Sequence, residues 1–370
     1  MNNNKLPLDR LKIEAEYLSR IKKYPDQVFM AHKDSVQEGF EYFASDEYLT
    51  EHSSVSPGII NRFRLLGLKN IPKMLSILAK NVSSIIRGKK ECFTDLEPYL
   101  IELEQTGRLD RQNSPHIKSF PNKGLWKELS EYAWLNWKVI LGFTKIPIQL
   151  IFKEKGVLFN YAIVCIQEMD KEKIDLAPDL RAGEEVMRIY NSLGLAVNDI
   201  ARWLRNKHDI RCQSNHPLGG LVNTPPLAGK AGLGWRGLDG LLITPQFGQR
   251  QRIAPIFIQD KLFEFTDNND HIWIEEYCKS CRKCEKACPP QAIYSKEKIG
   301  IQNIEGINQT MTCIDRIKCF PQFSKTLGCS ICIKVCPFSK GADSYLKIKN
   351  SLKKSLLTRS NKGLPKIFKT

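Results

Sequence analysis

Two cysteine runs near the C-terminus carry the densest chemistry of the chain. The first is Cys278-x2-Cys281-x2-Cys284-x3-Cys288-Pro289; the second is Cys329-x2-Cys332-x3-Cys336-Pro337, with Cys319 and Cys313 a short way upstream. A 4Fe–4S cluster takes four thiolates, and the x2-x2 spacing wraps one short loop around three corners of the cage. The cysteine before proline then ligates the other cluster of a two-cluster ferredoxin. The spacing therefore predicts two 4Fe–4S clusters. Cys278, Cys281, Cys284 and Cys336 hold one; Cys329, Cys332, Cys288 and either Cys319 or Cys313 hold the other. Structural zinc and disulfides do not use this triple-plus-proline spacing twice. The expected chemistry is the movement of single electrons.

Nine of the twelve cysteines lie between positions 278 and 336, leaving Cys92, Cys165 and Cys212 elsewhere. Such clustering reads as metal ligation in a reducing compartment, not as a secreted disulfide framework. The N-terminus has no apolar core segment and no twin arginine, and Lys138, Lys145 and Pro147 interrupt the apolar stretch from Ala133 to Phe152. The expectation is a cytoplasmic protein without a membrane span. The formal charge of +16 is uneven: residues 52–90 hold eight Lys/Arg and no acid, and residues 341–370 hold eight Lys/Arg against Asp343. Blocks of this kind suit an anionic partner, whether a membrane surface touched peripherally, RNA or an acidic electron donor.

The 370 residues are enough for several elements around a buried core. Residues 1–115 read as a helical N-terminal region, in which Leu75, Leu78, Val82 and Ile85 form the apolar stripe of a helix over Ile71–Ile86. Leu125 to Leu141 is aromatic and amphipathic. Tyr161–Ile166 is a continuous apolar run, as in a strand buried on both faces. After Pro178 a long helix places Val186, Tyr190, Leu193, Val197, Ile200 and Leu204 on one stripe. Leu241–Thr244 and Ile253–Ile258 read as strands, Pro255 marking an edge or bulge. The fold class is thus α+β: an α+β domain over 116–265, the iron–sulfur module over 266–340 and a mobile basic tail over 341–370.

Between His216 and Gly248 glycine and proline are dense, so the backbone can approach something flat or bulky. Gly232-x-Gly234-x-x-Gly237 matches a dinucleotide fingerprint in letters only, because no strand immediately precedes it. The ordered features resemble the corrinoid iron–sulfur reductases, the reductive dehalogenases and epoxyqueuosine reductases. They are Glu168-Met169-Asp170, Pro178, the tyrosine-bearing helix, Ala231-Gly232-Leu233-Gly234, Leu242-Ile243-Thr244-Pro245 with Phe247-Gly248, and the double cysteine motif ending Val335-Cys336-Pro337-Phe338-Ser339-Lys340.

The resemblance covers about 125–340. It implies a nitroreductase-like core that binds cobalamin, a two-cluster ferredoxin-like C-terminal domain, a low-potential donor of ferredoxin or flavodoxin type and a small organic substrate. Reduction of a modified tRNA nucleoside is the alternative within the same chemistry, and a two-cluster electron carrier without cobalamin is the alternative outside it. The spacing of Cys319 resembles the dehalogenase pattern, which favours it over Cys313 as the eighth ligand. The resemblance also implies Tyr190 as proton donor, with Arg188, Arg205 or Arg252 as its cationic neighbour. His216, Gly232, Gly234, Trp235, Gly237, Thr244, Phe247 and Gly248 are the expected cofactor contacts. Two family features are missing, the twin-arginine signal and the arginine-aspartate-tyrosine-histidine run of epoxyqueuosine reductases.

Overall fold

The structure, a computed structural model, describes residues 6–35, 71–111, 120–268, 270–293, 301–304, 307–310 and 314–359. In chain order its N-terminal part holds α1 (Leu6–Ile21), β1 (Phe29–Met30), α2 (Ile71–Thr94) and α3 (Glu97–Thr106). The central part holds α4 (Lys123–Trp137), β2 (Val139–Lys145), β3 (Gly156–Val157), β4 (Tyr161–Glu168), α5 (Lys171–Ile174), α6 (Leu180–His208), β5 (Cys212–Ser214), α7 (Thr224–Lys230), β6 (Trp235–Arg236), β7 (Leu242–Ile243) and β8 (Gln251–Ile258). The C-terminal part holds α8 (Trp273–Cys281), α9 (Lys283–Ala287), β9 (Ile301–Ile304), β10 (Ile307–Thr310), α10 (Arg316–Lys325), α11 (Ile331–Val335) and α12 (Ala342–Arg359).

A four-stranded antiparallel sheet in the order β2-β4-β8-β5 forms the centre. Alternation along β4 explains its continuous apolar run. Ile163 and Cys165 face a core built from α4 and α6, while Ala162, Val164 and Ile166 face α1, α3 and α7. Both faces are covered, so no position of the strand can be polar without cost. Helix α6 runs for 29 residues, opened by Asp179, whose side chain accepts from the Arg181 amide, and closed at Asp209 in the left-handed region. Leu193, Val197, Ile200 and Leu204 are fully buried against the sheet, each worth about 1.5–3 kcal/mol relative to exposure.

Pro255 lies where β8 is locally an edge. Strand β5 ends at the Ser214–Ile256 pair, and the Pro255 carbonyl accepts from the Asn215 amide. In an antiparallel pair the opposed residues exchange two bonds, and proline cannot return the one Asn215 gives it, so the ladder stops there and β5 ends.

Several expectations need correction. Helix α2 extends to Thr94 and buries Met74, Ile77, Ile85, Gly88 and Cys92, whereas Leu75 is 48% exposed. The buried stripe is set by Leu180, Leu327 and the glycine contact of α2 with His216, so it is rotated from the one read in the sequence. The stretch Leu125–Leu141 divides at Lys138, whose left-handed backbone ends α4 and starts β2. Leu241–Thr244 contributes only β7, which pairs with β6 in a separate two-stranded hairpin. The tail is a helix through Arg359, anchored by buried Tyr345, which packs on Trp273 and Phe338. Residues 360–370 lie outside the described residues. Among the described residues no helix is long and apolar enough to cross a membrane.

Candidate functional site

The two cysteine runs fold on one local plan. In the first, Arg282 takes a left-handed backbone (φ 51°), the five-residue helix α9 follows, and Cys288 is extended before Pro289. In the second, Ser330 is left-handed (φ 57°), the five-residue helix α11 follows, and Cys336 is extended before Pro337. The left-handed residue turns the chain sharply enough for cysteines on either side of it to face one point. The extended residue then sends the last cysteine away from its own loop.

The consequence is an exchange of partners. A cavity of about 20 Å³ is lined by Cys278, Cys281 and Cys284 of the first run together with Cys336 of the second. Around Ala292, Ile293 and Ile314, Cys284 and Cys288 of the first run pack with Cys319 and Cys332. Burial raises the Cys329 thiol, and neighbouring Cys288 adds to the rise. Cys319 stands on α10, whose N-terminus is capped by the Asp315 carboxylate accepting from the Lys318 amide at 3.1 Å. Cys313 lies outside the described residues.

The thiols destabilise one another's anions. Burial pushes Cys332 far up, and Asp239, Cys319, Cys329 and Cys288 push it further. Burial raises Cys336 too, with Asp239 and Cys278 adding, and the Cys278 thiol is pushed up to about 12 by burial above all. Without a cation these groups stay protonated; a bound metal centre would displace their protons and become pH-dependent in its affinity. Among the described residues no group of three or more His, Cys, Asp or Glu is placed to hold a single ion. The first four thiols instead surround a void, as the corners of a cage would.

A second cavity, about 190 Å³, lies between α6, the loop after β5 and the start of β8. Tyr190, His216, Gly219, Gly220, Gln249 and Arg252 are in its wall, with Phe152, Val222, Leu241 and Leu242 supplying apolar surface. Of the three arginines proposed beside Tyr190, Arg188 is bidentate to Glu185 at 2.6 and 2.7 Å and Arg205 pairs with Asp95 at 2.6 Å. Arg252 alone meets the tyrosine, its guanidinium carbon 4.6 Å from the ring centroid. Arg252 Nε and Gln249 Oε1 are buried without a hydrogen-bond partner, a costly arrangement that a polar ligand would relieve.

Gln249 is the one residue in the walls of both cavities. Its Nε2 donates to Asp239 Oδ1 at 2.6 Å, and burial pushes the Asp239 carboxyl up to about 6. Next to it, Arg250 donates to the Ser339 carbonyl at 2.6 Å, to Glu168 at 2.7 Å and to the Met169 carbonyl at 2.9 Å. One arginine thus ties the Glu168-Met169 segment to the end of the second cysteine run.

The expected cofactor contacts fare differently. His216 lines the cavity, but its Nδ1 accepts from the Leu218 amide at 3.1 Å and a Cβ on Gly194 would come within 2.1 Å of its Nε2. Its ring therefore packs between α2 at Gly88 and α6 at Gly194 while lining the cavity. The other contacts do not line this cavity. A Cβ at Gly232 would strike the Thr266 carbonyl, at Gly234 the Ile243 carbonyl and at Gly237 the Gln249 side chain, and at Gly248 it would strike the Phe338 backbone. Trp235 packs on the cysteine module, Phe247 lies in the core, and Thr244 holds the turn by accepting from the Phe247 amide. Close backbone approach was the right inference from the glycines; what approaches is the protein itself. Gln249, Asp239, Gly88 and Gly194 were not singled out by the sequence. The only signal for the first was a polar run, Gln249 to Arg252, opening a strand.

Residues 271–294 match the family of 4Fe–4S binding domains. The chain is 32% identical over 197 residues to the tetrachloroethene reductive dehalogenase of Desulfitobacterium hafniense, covering 51% of this chain and 34% of that protein. It is 30% identical over 176 residues to the epoxyqueuosine reductase of Bacillus subtilis, covering 45% of this chain and 44% of that protein. Among solved structures, a catabolic reductive dehalogenase in complex with 3-bromo-4-hydroxybenzoic acid superposes with a TM-score of 0.54 at 20% identity, covering 65% of this chain and 36% of that one. The chain therefore resembles the corrinoid iron–sulfur reductases in sequence and fold, and it spans about a third of the length of the first of these curated relatives.

Proposed function

We propose that this protein is an iron–sulfur reductase in which two 4Fe–4S clusters serve a corrinoid that meets the Tyr190 cavity, for reductive cleavage of a bond in a small organic substrate. Support comes from one observation above the others: Gln249 separates the thiol-lined cavity from the Tyr190 cavity, so an electron source and a reaction pocket share a single side chain as wall. Cys278, Cys281, Cys284 and Cys336 would hold one cluster, and Cys288, Cys319, Cys329 and Cys332 the other. The sheet with α6 and α7 on its faces is read as the nitroreductase-like core of the relatives. When bound, the clusters supply one-electron transfer and cobalamin supplies a low-valent cobalt centre.

The cavity's own residues suit that chemistry. Drug-sized ligands occupy roughly 300–1,000 Å³, so the 190 Å³ cavity accepts a small substrate. The unpartnered Arg252 Nε and Gln249 Oε1 offer one donor and one acceptor to what lies there. Tyr190 holds a proton at its phenol oxygen, within reach of the same space. The Arg252 guanidinium lies against its ring, the guanidinium carbon 4.6 Å from the centroid, and holds the side chain in the cavity wall. Phe152, Val222, Leu241 and Leu242 exclude water.

Anaerobic reconstitution with iron, sulfide and cobalamin tests the proposal. One cobalamin per chain is expected, read from the cobalt content and the corrinoid absorbance of the reconstituted protein. Failure to bind cobalamin while both clusters assemble would leave an electron carrier and sink the reductase reading.

A further inference from the structure

The cavity beside Tyr190 has a cation in its wall and no acid. Among the described residues that line it there is neither aspartate nor glutamate, and Arg252 is the one permanently charged side chain. Other arginines of the same region are neutralised: Arg188 by Glu185, Arg205 by Asp95 and Arg250 by Glu168. Arg252 has no such partner among the described residues. Its cross-strand neighbour on β4 is the uncharged Gln167, and its guanidinium rests on the Tyr190 ring with Nε buried and unbonded. Asp239 stands behind Gln249, which donates to it at 2.6 Å, and makes no ion pair with Arg252.

The charges just behind the wall have the same sign balance. Buried Lys155 donates to the Gly220 carbonyl at 3.0 Å and pairs with Glu14 at 2.6 Å. Buried Lys89 lies so close to Gly219 that a Cβ there would strike its Nζ. On the Gly219–Gly220 side two lysines thus stand against one acid.

A guanidinium withdrawn from bulk water without a counter-ion is costly, and its stacking on a ring offsets only part of that cost. An anion bound in the cavity would supply the missing charge, and the wall selects its chemistry. One guanidinium fork matches the two oxygens of a carboxylate and leaves a dianion such as phosphate under-neutralised. Phe152, Val222, Leu241, Leu242, Ile253 and Pro255 give the wall an apolar surface, which suits an apolar body on that carboxylate. A volume of about 190 Å³ restricts the whole to a small molecule.

We infer that the Tyr190 cavity selects a small organic carboxylate with an apolar body, Arg252 holding the carboxylate and so keeping the body of the molecule in the cavity beside Tyr190. The inference rests on the reductase reading above and narrows its substrate to a monoanionic acid. Arg252 is the residue that sets this specificity.

The test measures binding of benzoate and of its uncharged isostere benzamide by titration calorimetry. It uses the protein reconstituted with iron, sulfide and cobalamin, and its Arg252→Gln and Arg252→Lys variants. Wild type should bind benzoate about 10–100-fold more tightly than benzamide, the range that a hydrogen bond to a charged group spans. Arg252→Gln should lose that preference yet bind benzamide as the wild type does, and Arg252→Lys should keep part of it. Unchanged benzamide binding separates recognition of charge from collapse of the wall, and the wild-type comparison stands on its own if a variant does not fold. Equal affinity for the two probes in the wild type, or a preference that survives Arg252→Gln, would overturn the inference and leave the reductase reading standing. If the guanidinium instead meets the phosphate of cobalamin, Arg252→Gln should take up cobalamin more weakly and no protein should prefer benzoate, which overturns the inference too. A wild type that prefers benzoate but holds no cobalamin would overturn the reductase reading, and with it the acid's standing as substrate.

Discussion

Tyr190 and Arg252 come together from elements more than sixty residues apart, and the stacking of cation on ring distinguishes Arg252 from the other two arginines. If Tyr190 donates the proton, Tyr190→Phe keeps the ring under Arg252 and the helix packing while removing the acid. Turnover with a reducible substrate should fall about 10²–10⁴-fold with cofactor content unchanged; activity within a few-fold of wild type would make Tyr190 a wall residue. Asp239 gives a second prediction. Burial raises its folded-state pKa to about 6, above the unfolded value of about 3.9, so between these values the folded protein binds the extra proton. Stability of the metal-free protein should therefore fall as pH rises through that window and level off above it. Asp239→Asn should lose that slope, measured by denaturant unfolding across the range; an unchanged slope would show that another group causes it. Neither Asp239 nor Gln249 was legible in the sequence, because nothing in a polar residue's type reveals that tertiary packing will bury it.

Elements were legible where one physical signal was strong. Helix α6 has an unbroken apolar stripe and an aspartate cap, and β4 has apolar residues at both parities; both were readable as such. Helix α2 was readable as a helix but not in its rotation, because Met74, Leu75, Ile77 and Leu78 are all apolar and only the neighbour decides which turn inward. Helix α12 was missed because lysine dominates its composition while a few residues led by Tyr345 anchor it. The glycines of the helix interface explain the placement of His216. Gly194→Ala would drive a methyl to 2.1 Å from His216 Nε2, costing about 1–3 kcal/mol as overpacking does. His216→Ala in that background should recover part of the loss, a coupling that a double-mutant cycle with denaturant melts reads directly. Additive losses would mean that the ring does not pack as described.

At the scale of the whole molecule, the crossing of the two cysteine runs organises everything else. Cys336 returns to the first group and Cys288 joins the second, and Arg250 fastens the resulting module to the sheet at Glu168 and Met169. This exchange was legible from the proline that follows each last cysteine. The preference for Cys319 came only through resemblance; it packs in one cluster with Cys288 and Cys332, and Cys313 lies outside the described residues. The position of the Tyr190 cavity was not legible, since its walls come from α6, a loop and β8. The central claim is that the eight thiols hold two cages and not one. Iron and acid-labile sulfide analysis of anaerobically reconstituted protein should give about eight of each per chain, as two 4Fe–4S clusters require; a stable content near four, or stoichiometric zinc in place of iron, would contradict it.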